Sequence, residues 1–168
     1  MVELKGGNQM IFLKFILAMF LSFLPGMLGI IVAPMETGGN LWYNTLTHSM
    51  LTPPGWVFSG AWSVLYFFIG LALFFVMLTD NPKVHQDKTK AYVLFAINVV
   101  LNLLWSLVFF GAQMPGLALL VLIALIIDVI YMMREFFRID KITLWFLIPY
   151  ILWLFFALYL NGMIIYLN

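Results

Sequence analysis

The chain has 168 residues, of which 65% are hydrophobic and 9% are charged. Soluble domains contain about half apolar and about a quarter charged residues, so this composition excludes a soluble globular domain and predicts a protein whose solvent is lipid. The net charge of +1 excludes a basic nucleic-acid-binding surface, and the absence of cysteine excludes disulfides, thiol catalysis and cysteine metal sites.

Five stretches of the chain are long and apolar enough to cross a bilayer, which takes about 20 residues in a helix. The first stretch is too long for the apolar region of a signal peptide, and no A-x-A-like cleavage site follows it. We therefore predict an all-α membrane protein, a bundle of five transmembrane helices that forms a single domain over residues 1–168. The predicted spans are residues 10–32, 54–78, 90–110, 115–134 and 142–166.

The segments between the spans contain residues that begin and end helices. Pro53-Pro54-Gly55 precedes the second span, with Thr52 as a candidate N-cap. Asp80-Asn81-Pro82 ends that span. Residues 111–116 predict a tight turn between the third and fourth spans, and Ile139-Asp140-Lys141 joins the fourth span to the fifth.

All eight basic residues fall on one side of the membrane in this five-span topology. Because cytoplasmic segments are enriched in Lys and Arg, we predict a multi-pass protein of the cell membrane with a cytoplasmic N-terminus and an external C-terminus. The basic segments either set this topology alone or also bind anionic lipid head groups. The residues are Lys5, Lys14, Lys83, Lys88, Lys90, Arg134, Arg138 and Lys141.

Polar and aromatic side chains recur at helical spacing in three of the spans. In lipid such side chains need partners inside the bundle, so they either hydrogen-bond one helix to another or line a cavity that binds a ligand. They are Ser59, Trp62, Ser63, Tyr66 and Gly70 in the second span, Asn98, Asn102, Trp105, Ser106 and Phe109 in the third, and Tyr150, Trp153, Ala157, Leu160 and Asn161 in the fifth.

The first span carries a stripe of small residues instead. Small side chains let two helix backbones approach closely in lipid, so we predict that this stripe packs against a neighbouring helix. Its members are Ser22, Gly26, Gly29 and Ala33.

The fourth span consists mostly of Leu, Ile, Val and Ala, and we expect it to face lipid at the periphery of the bundle. Its exception is Asp128, an acid well inside the span. An intramembrane acid is a candidate functional residue. However, Asp128 lies six residues before Arg134, so the alternative is a position near the cytoplasmic interface, paired with a basic residue.

The first external connection, residues 33–53, is long for a link between helices. Leu41-Trp42-Tyr43 and the segment 46–51 are predicted to form a short amphipathic helix over the mouth of the bundle, after a flexible start at Gly38-Gly39. This segment is either an interfacial aromatic anchor or a lid over a pocket.

The chain contains no P-loop, dinucleotide-binding fingerprint, nucleophile elbow or zinc motif. Its two histidines, His48 and His85, fall on opposite sides of the predicted membrane and cannot share a metal. These observations disfavour a hydrolase or a metalloenzyme, and we expect no metal and no cofactor.

Several aromatic and proline-containing blocks follow one another along the chain. They are Trp42-Tyr43, Leu51-Thr52-Pro53-Pro54-Gly55-Trp56-Val57-Phe58, Trp62, Leu65-Tyr66, Leu101-Asn102-Leu103-Leu104-Trp105-Ser106, Phe109-Phe110, Pro149-Tyr150, Trp153, Phe156-Ala157 and Tyr159-Leu160-Asn161. In this order the blocks resemble the translocator protein family (TspO/MBR, relatives of the peripheral-type benzodiazepine receptor), over nearly the whole chain.

The resemblance implies a five-helix bundle, often a homodimer, with a ligand pocket that opens towards the first external connection. The ligands it implies are porphyrins such as protoporphyrin IX, haem, sterols and synthetic isoquinolines and benzodiazepines. The family's sterol pattern needs a basic residue after a tyrosine, and none follows Tyr159 or Tyr166. The predicted ligand-binding residues are Trp42, Tyr43, Pro53, Phe58, Trp62, Tyr66, Asn98, Asn102, Trp105, Trp153, Ala157 and Leu160.

Three functions follow from these residues and the resemblance. The first is a membrane receptor, sensor or carrier for tetrapyrroles and similar hydrophobic ligands. The second is an enzyme that degrades bound porphyrin by photo-oxidation, for which Trp62 is the candidate catalytic residue. The third is a membrane scaffold that acts through association with other proteins.

Overall fold

The computed structural model describes residues 2–32, 41–79 and 85–168. Five of its helices contain stretches long and apolar enough to cross a membrane, and the described residues form no strand. The predicted all-α bundle of five transmembrane helices is therefore confirmed. In chain order, the described elements are α1 (Val2–Val32), the short α2 (Leu41–Thr45), α3 (Gly55–Leu78), α4 (His85–Ser106) with a π-helical continuation (Leu107–Gly111), α5 (Pro115–Ile139) and α6 (Thr143–Leu167).

The ends of these helices agree in most places with the helix start and stop residues predicted from the sequence. Helix α3 begins after Pro54, and no side chain caps it, so the predicted cap by Thr52 is wrong. The turn before α5 forms as predicted, with Gln113 at a φ of 57°, in the left-handed region that often ends a helix. The predicted flexible start at Gly38-Gly39 and the turn Asp80-Asn81-Pro82 lie outside the described residues.

The five spans pack in a closed ring. Helix α1 packs against α3 and α4, α3 packs against α6, and α5 fills the space between α4 and α6. The order around the ring is therefore α1, α3, α6, α5 and α4. This arrangement encloses one interior that every span borders.

The small residues of α1 let it approach its neighbours closely, as predicted. A Cβ atom added at Gly26 would lie 2.8 Å from the Tyr66 ring of α3, and one added at Gly29 would lie 3.4 Å from the Ser106 hydroxyl of α4. Ser22 is buried and donates to the Met19 carbonyl one turn earlier. The absence of side chains at Gly26 and Gly29 thus allows α3 and α4 to lie close to α1.

The expectation that the fourth span is peripheral and faces lipid holds for one face of α5, which exposes Leu120, Ile123, Ile127 and Ile130, and fails for the other face. Leu, Ile, Val and Ala suit both a lipid-facing surface and a bundle interior, because lipid tails are as apolar as these side chains. One face of α5 is buried between α4 and α6 along the whole helix. The buried residues of that face are Ala118, Leu122, Leu125, Ile126, Asp128, Val129, Met132, Glu135, Phe136 and Ile139.

Lys14 links α1 to the end of α3. Its ammonium donates a hydrogen bond of 3.0 Å to the backbone carbonyl of Met77, one of the last carbonyls of α3, which have no partner within the helix. A cation at this position is also favoured by the negative end of the helix dipole. Lys14 therefore lies at the same end of the bundle as the C-terminus of α3.

Gly26→Ala is expected to lower the thermal stability of the protein, because the added methyl group would overlap the rigid Tyr66 ring and such overpacking costs about 1–3 kcal/mol. The matched control is Gly60→Ala, because a Cβ atom at Gly60 would meet no atom within 4 Å. Thermal unfolding in detergent, followed by circular dichroism, measures both variants. Equal melting temperatures for the two would contradict the proposed close approach of α1 and α3.

Candidate ligand-binding site

A cavity of about 190 Å³ lies between α1, α3 and α4. Its walls are mostly aromatic and apolar, with a few hydroxyl and amide groups and no charged side chain among the lining residues. The lining residues are Phe23, Pro25, Gly26, Met27, Gly29, Phe58, Ser59, Trp62, Ser63, Tyr66, Asn102, Trp105, Ser106 and Phe110. We refer to this space as the central cavity.

Five of the predicted ligand-binding residues line the central cavity: Phe58, Trp62, Tyr66, Asn102 and Trp105. The other predicted residues do not line the cavity. Trp42 and Tyr43 pack against Phe109 and Phe110, and Asn98 and Ala157 are buried in the protein interior. Trp153 contacts Trp62, and Pro53 and Leu160 are half-buried.

The first span contributes more to the site than its sequence pattern indicates. Its small residues predict close packing, and the aromatic and polar stripes predict a pocket lined by the second, third and fifth spans. In the structure α1 supplies one wall, and none of the described residues of α6 lines the central cavity directly. Gly26 and Gly29 contribute both to close helix packing and to the cavity, since a missing side chain lets helices approach each other and also leaves space beside them.

The hydroxyl of Tyr150, on α6, is the centre of a buried hydrogen-bond network. It accepts a hydrogen bond of 2.7 Å from the Asn102 amide and one of 3.1 Å from the Asn98 amide, both on α4. The Asn102 amide also donates to the side-chain oxygen of Asn98 at 3.1 Å. The three side chains are buried, so the network joins α4 to α6 inside the membrane.

The lining of the central cavity includes polar atoms that have no partner among the described residues. The amide nitrogen of Asn102 is committed to Asn98 and Tyr150, while its side-chain oxygen forms no hydrogen bond with the described residues. The hydroxyls of Tyr66 and Ser106 likewise have no hydrogen-bond partner in the described part of the chain. All three residues line the cavity, so they offer a ligand one amide oxygen and two hydroxyls on mostly apolar walls.

A second polar link lies at the end of the bundle where α5 begins. The indole nitrogen of Trp105 donates to the side-chain oxygen of Asn161 at 3.3 Å. The amide nitrogen of Asn161 in turn donates to the backbone carbonyl of Pro115, at the start of α5, at 2.9 Å. Trp105 is therefore held in one orientation, with its ring forming part of the cavity wall.

Trp153 separates the central cavity from an open groove on the lipid-facing surface. Its ring lies 5.7 Å from Phe58 and 6.5 Å from Trp62, between ring centroids. On its other side the groove between α3 and α6 has a volume of about 740 Å³. The indole nitrogen of Trp153 is buried without a partner among the described residues, so no hydrogen bond of that atom opposes movement of the ring.

The described part of the connection between α1 and α3, residues 41–54, packs against the aromatic end of the cavity. The helical part of the connection, α2, covers only Leu41–Thr45, and the predicted extension over 46–51 is not helical. Trp42 packs on Phe109 with 5.8 Å between ring centroids, and Tyr43 packs on Phe110 at 5.7 Å. Burial raises the pKa of the Tyr43 hydroxyl, which therefore stays neutral at physiological pH.

Two contacts fasten this connection to α6. The backbone of Thr47 exchanges two hydrogen bonds with the Asn168 side chain, at 2.9 and 3.1 Å. The hydroxyls of Ser49 and Tyr159 lie 2.9 Å apart. These contacts and the packing of α2 agree with the lid interpretation, because the segment touches the cavity wall rather than projecting from the bundle.

Asp128 forms no ion pair with the described residues. At a rise of 1.5 Å per residue it lies about 20 Å from Pro115 and about 16 Å from Ile139 along α5, near the middle of this span. Its side chain is 6% exposed, and both carboxylate oxygens lack a hydrogen-bond partner of ordinary geometry among the described residues. The predicted pairing with a basic residue is therefore not found among the described residues, while the depth of Asp128 in the membrane stays a prediction.

Comparison with known proteins places this architecture in a family. The model of the TspO/MBR family matches residues 18–167. The chain belongs to the TspO/MBR family. It is 39% identical to the tryptophan-rich protein TspO of Chlorobaculum tepidum over 76% of this chain and 79% of the relative. It is also 39% identical to the protein of the same name from Archaeoglobus fulgidus, over 76% of this chain and 80% of that one.

A third relative in the TspO/MBR family carries a functional name. The chain is 32% identical to the tryptophan-rich sensory protein of Cereibacter sphaeroides, over 81% of this chain and 82% of the relative. These matches confirm the resemblance drawn from the aromatic blocks. The protein is thus a multi-pass membrane protein of the TspO/MBR family.

Tyr150→Phe is expected to destabilise the bundle, because it removes the oxygen that accepts from both Asn98 and Asn102. Leaving a buried donor without a partner costs about 1–3 kcal/mol. Tyr166→Phe is the matched control, since Tyr166 is 81% exposed. Thermal unfolding in detergent compares the two variants, and a melting temperature of Tyr150→Phe at or above that of Tyr166→Phe would refute the structural role of the network.

Proposed function

We propose that the protein is a membrane receptor, sensor or carrier that binds a tetrapyrrole such as protoporphyrin IX or haem in the central cavity. The observation that carries the proposal is the combination of flat aromatic walls with a few polar atoms that lack a partner among the described residues. Sterols and isoquinolines are alternative ligands with the same rigid, largely apolar shape. A homodimer stays a prediction.

The aromatic rings of the site suit a planar ligand. Trp62 and Tyr66 lie 5.5 Å apart with 31° between their planes, and Trp105 stacks on Phe109 at 5.2 Å and 21°. Pairs of aromatic rings favour offset-stacked or edge-to-face contacts, each worth about 0.5–1.5 kcal/mol beyond the area that they bury. A macrocycle beside Trp62 and Trp105 would make several such contacts at once.

The size of the central cavity requires that it open to admit a ligand. Pockets for drug-sized ligands measure about 300–1,000 Å³, and the central cavity measures about 190 Å³. Displacement of the Trp153 ring would join it to the groove of about 740 Å³ between α3 and α6. This movement supports a ligand-binding role for Trp153, although its ring lies outside the central cavity.

The charged substituents of a tetrapyrrole constrain its orientation. The lining contains no cation to neutralise a carboxylate, and burying an unpaired charge is costly. We therefore propose that the macrocycle lies among the aromatic rings, while its carboxylates remain at the water-facing mouth beneath α2. The pyrrole N–H groups can then donate to the side-chain oxygen of Asn102.

Trp62→Leu is expected to raise the dissociation constant of protoporphyrin IX about three- to tenfold, because it removes ring contacts worth about 0.5–1.5 kcal/mol. The matched control is Trp145→Leu, since Trp145 is 73% exposed on the lipid-facing surface. Saturable quenching of the remaining tryptophan fluorescence measures binding. Quenching that does not saturate, or equal dissociation constants for the two variants, would refute the site.

A second candidate function is oxidative breakdown of bound porphyrin, driven by light with oxygen as the oxidant. It is favoured by the run of neighbouring rings Phe58, Trp153, Trp62 and Tyr66, whose centroids lie 5.5 to 6.5 Å apart. Such rings can pass electrons to an excited macrocycle. The absorption spectrum of the illuminated complex separates the two functions, since a pure receptor bleaches porphyrin no differently from empty detergent micelles.

We also propose the orientation that the basic residues predict, with the lid on the external side. The chain has no cysteine, so a single introduced cysteine reports its own side of the membrane. In intact cells, a membrane-impermeant maleimide is expected to label Met50→Cys and not Lys141→Cys, because both positions are exposed and lie at opposite ends of the bundle. The reverse labelling pattern would invert the topology.

A further inference from the structure

Asp128 is a buried acid that has no cationic partner among the described residues. Its side chain is 6% exposed, and neither oxygen accepts a hydrogen bond of ordinary geometry from the described residues. The other buried acid of α5, Glu135, accepts two hydrogen bonds from Arg138 at 3.1 and 3.2 Å. The two acids on one helix therefore differ in kind, since only Glu135 has a cation that stabilises its charge.

The groups that face Asp128 are polar but uncharged. Asn98 of α4 interacts with its carboxylate, Tyr150 of α6 lies within electrostatic range of it, and Tyr66 of α3 lies within electrostatic range of Tyr150. The π-helical segment Leu107–Gly111 contains no titratable side chain. On α5 itself, the side chains of Tyr131 and Arg134 are exposed, so they point away from the buried face that carries Asp128.

An ionised carboxylate in this position would have little water and no cation among the described residues to stabilise it, and the Asn98 amide beside it is a neutral donor. The cost of a charge without an ionic partner in an apolar medium is so large that such a group becomes neutral instead. A carboxylic acid offers a donor as well as acceptors, so the neutral form can still accept from the Asn98 amide.

We propose that Asp128 is a proton-binding site inside the membrane and that its protonation is linked to ligand binding in the central cavity. Asn98 and Tyr150, the neighbours of Asp128, both share hydrogen bonds with Asn102, and Asn102 lines the cavity. Asp128 is thus connected, through Asn98 or Tyr150, to Asn102, a side chain that a ligand would touch.

The sign of the linkage follows from how a bound ligand changes the environment of the Asp128 side chain. An apolar macrocycle excludes water from the cavity, and an anionic one adds a like charge. Both changes penalise a negative Asp128. Ligand binding therefore favours the protonated acid, and by reciprocity the protonated protein binds ligand more tightly. Affinity is expected to fall as the pH rises through the range in which Asp128 ionises.

The proton site itself is tested without any ligand. Infrared spectroscopy of the protein in lipid nanodiscs at neutral pH is expected to show the C=O stretch of a protonated carboxylic acid. The band should be absent from Asp128→Asn, shifted in Asp128→Glu and unchanged in Glu135→Gln. A wild-type spectrum without this band, or a band that Asp128→Asn and Asp128→Glu both leave unchanged, would overturn the proposal.

The linkage rests on the proposed function and is tested with the dimethyl ester of protoporphyrin IX, which carries no titrating carboxylate. Its dissociation constant for the wild type is expected to rise roughly tenfold from the acid to the alkaline side of the Asp128 titration. Asp128→Asn imitates the neutral acid, so it should bind tightly at every pH, whereas Glu135→Gln should keep the wild-type profile.

The outcomes separate the two proposals. The linkage is overturned if the dissociation constant of Asp128→Asn depends on pH in the same way as that of the wild type. It is also overturned if Glu135→Gln removes this pH dependence as completely as Asp128→Asn does. Failure of every form of the protein to bind the ester overturns the proposed function and the linkage with it, while the infrared band still decides whether Asp128 holds a proton.

Discussion

The structure depends on the requirement that polar groups inside a bilayer find partners within the protein, since the surrounding lipid offers none. Tyr150 meets this requirement for two asparagines at once, and so joins α4 to α6. Asn161 does the same for Trp105 and for the first carbonyl of α5. Hydrophobicity alone gives little preference for one helix partner over another in lipid, because lipid tails are as apolar as the side chains. These hydrogen bonds therefore favour the association of α4, α5 and α6, while close packing at Gly26 and Gly29 brings α1 against α3 and α4.

The central cavity is a consequence of the same constraint. The amide nitrogen of Asn102 bonds to Asn98 and Tyr150, which leaves its oxygen without a partner among the described residues on a side chain that lines the cavity. The missing side chains at Gly26 and Gly29 place α1 close enough to form the opposite wall. A site that combines rigid aromatic faces with a single amide acceptor thus results from the way the helices are held together. Among the described residues, Asp128, the Trp153 indole and one ring nitrogen of His48 are exceptions to full pairing, and unpaired buried polar groups in native proteins call for an explanation of their own.

Much of the fold could be predicted from the sequence, because crossing a bilayer imposes a length and a composition that few other structures share. The five spans and the close packing of the first span followed from that constraint. The burial of α5 could not be predicted, since Leu, Ile, Val and Ala are equally suited to lipid and to a bundle interior. The wall supplied by α1 was missed for a related reason: Gly26 and Gly29 indicate close packing, and nothing in their identity shows that space remains beside them. The aromatic residues Trp62, Tyr66 and Trp105 were found because their spacing places them on single helix faces. No local pattern predicted the π-helical turn that directs Phe109 and Phe110 towards α2.

The central claim is that the cavity between α1, α3 and α4 is the ligand site. The most direct test is a structure of the protein in lipid nanodiscs with protoporphyrin IX bound. The account predicts a macrocycle between Trp62 and Trp105, a pyrrole nitrogen within hydrogen-bonding distance of the Asn102 oxygen, and a Trp153 ring displaced towards the groove between α3 and α6. Porphyrin bound only in that outer groove or at the basic end of the bundle, with the central cavity unchanged, would contradict it.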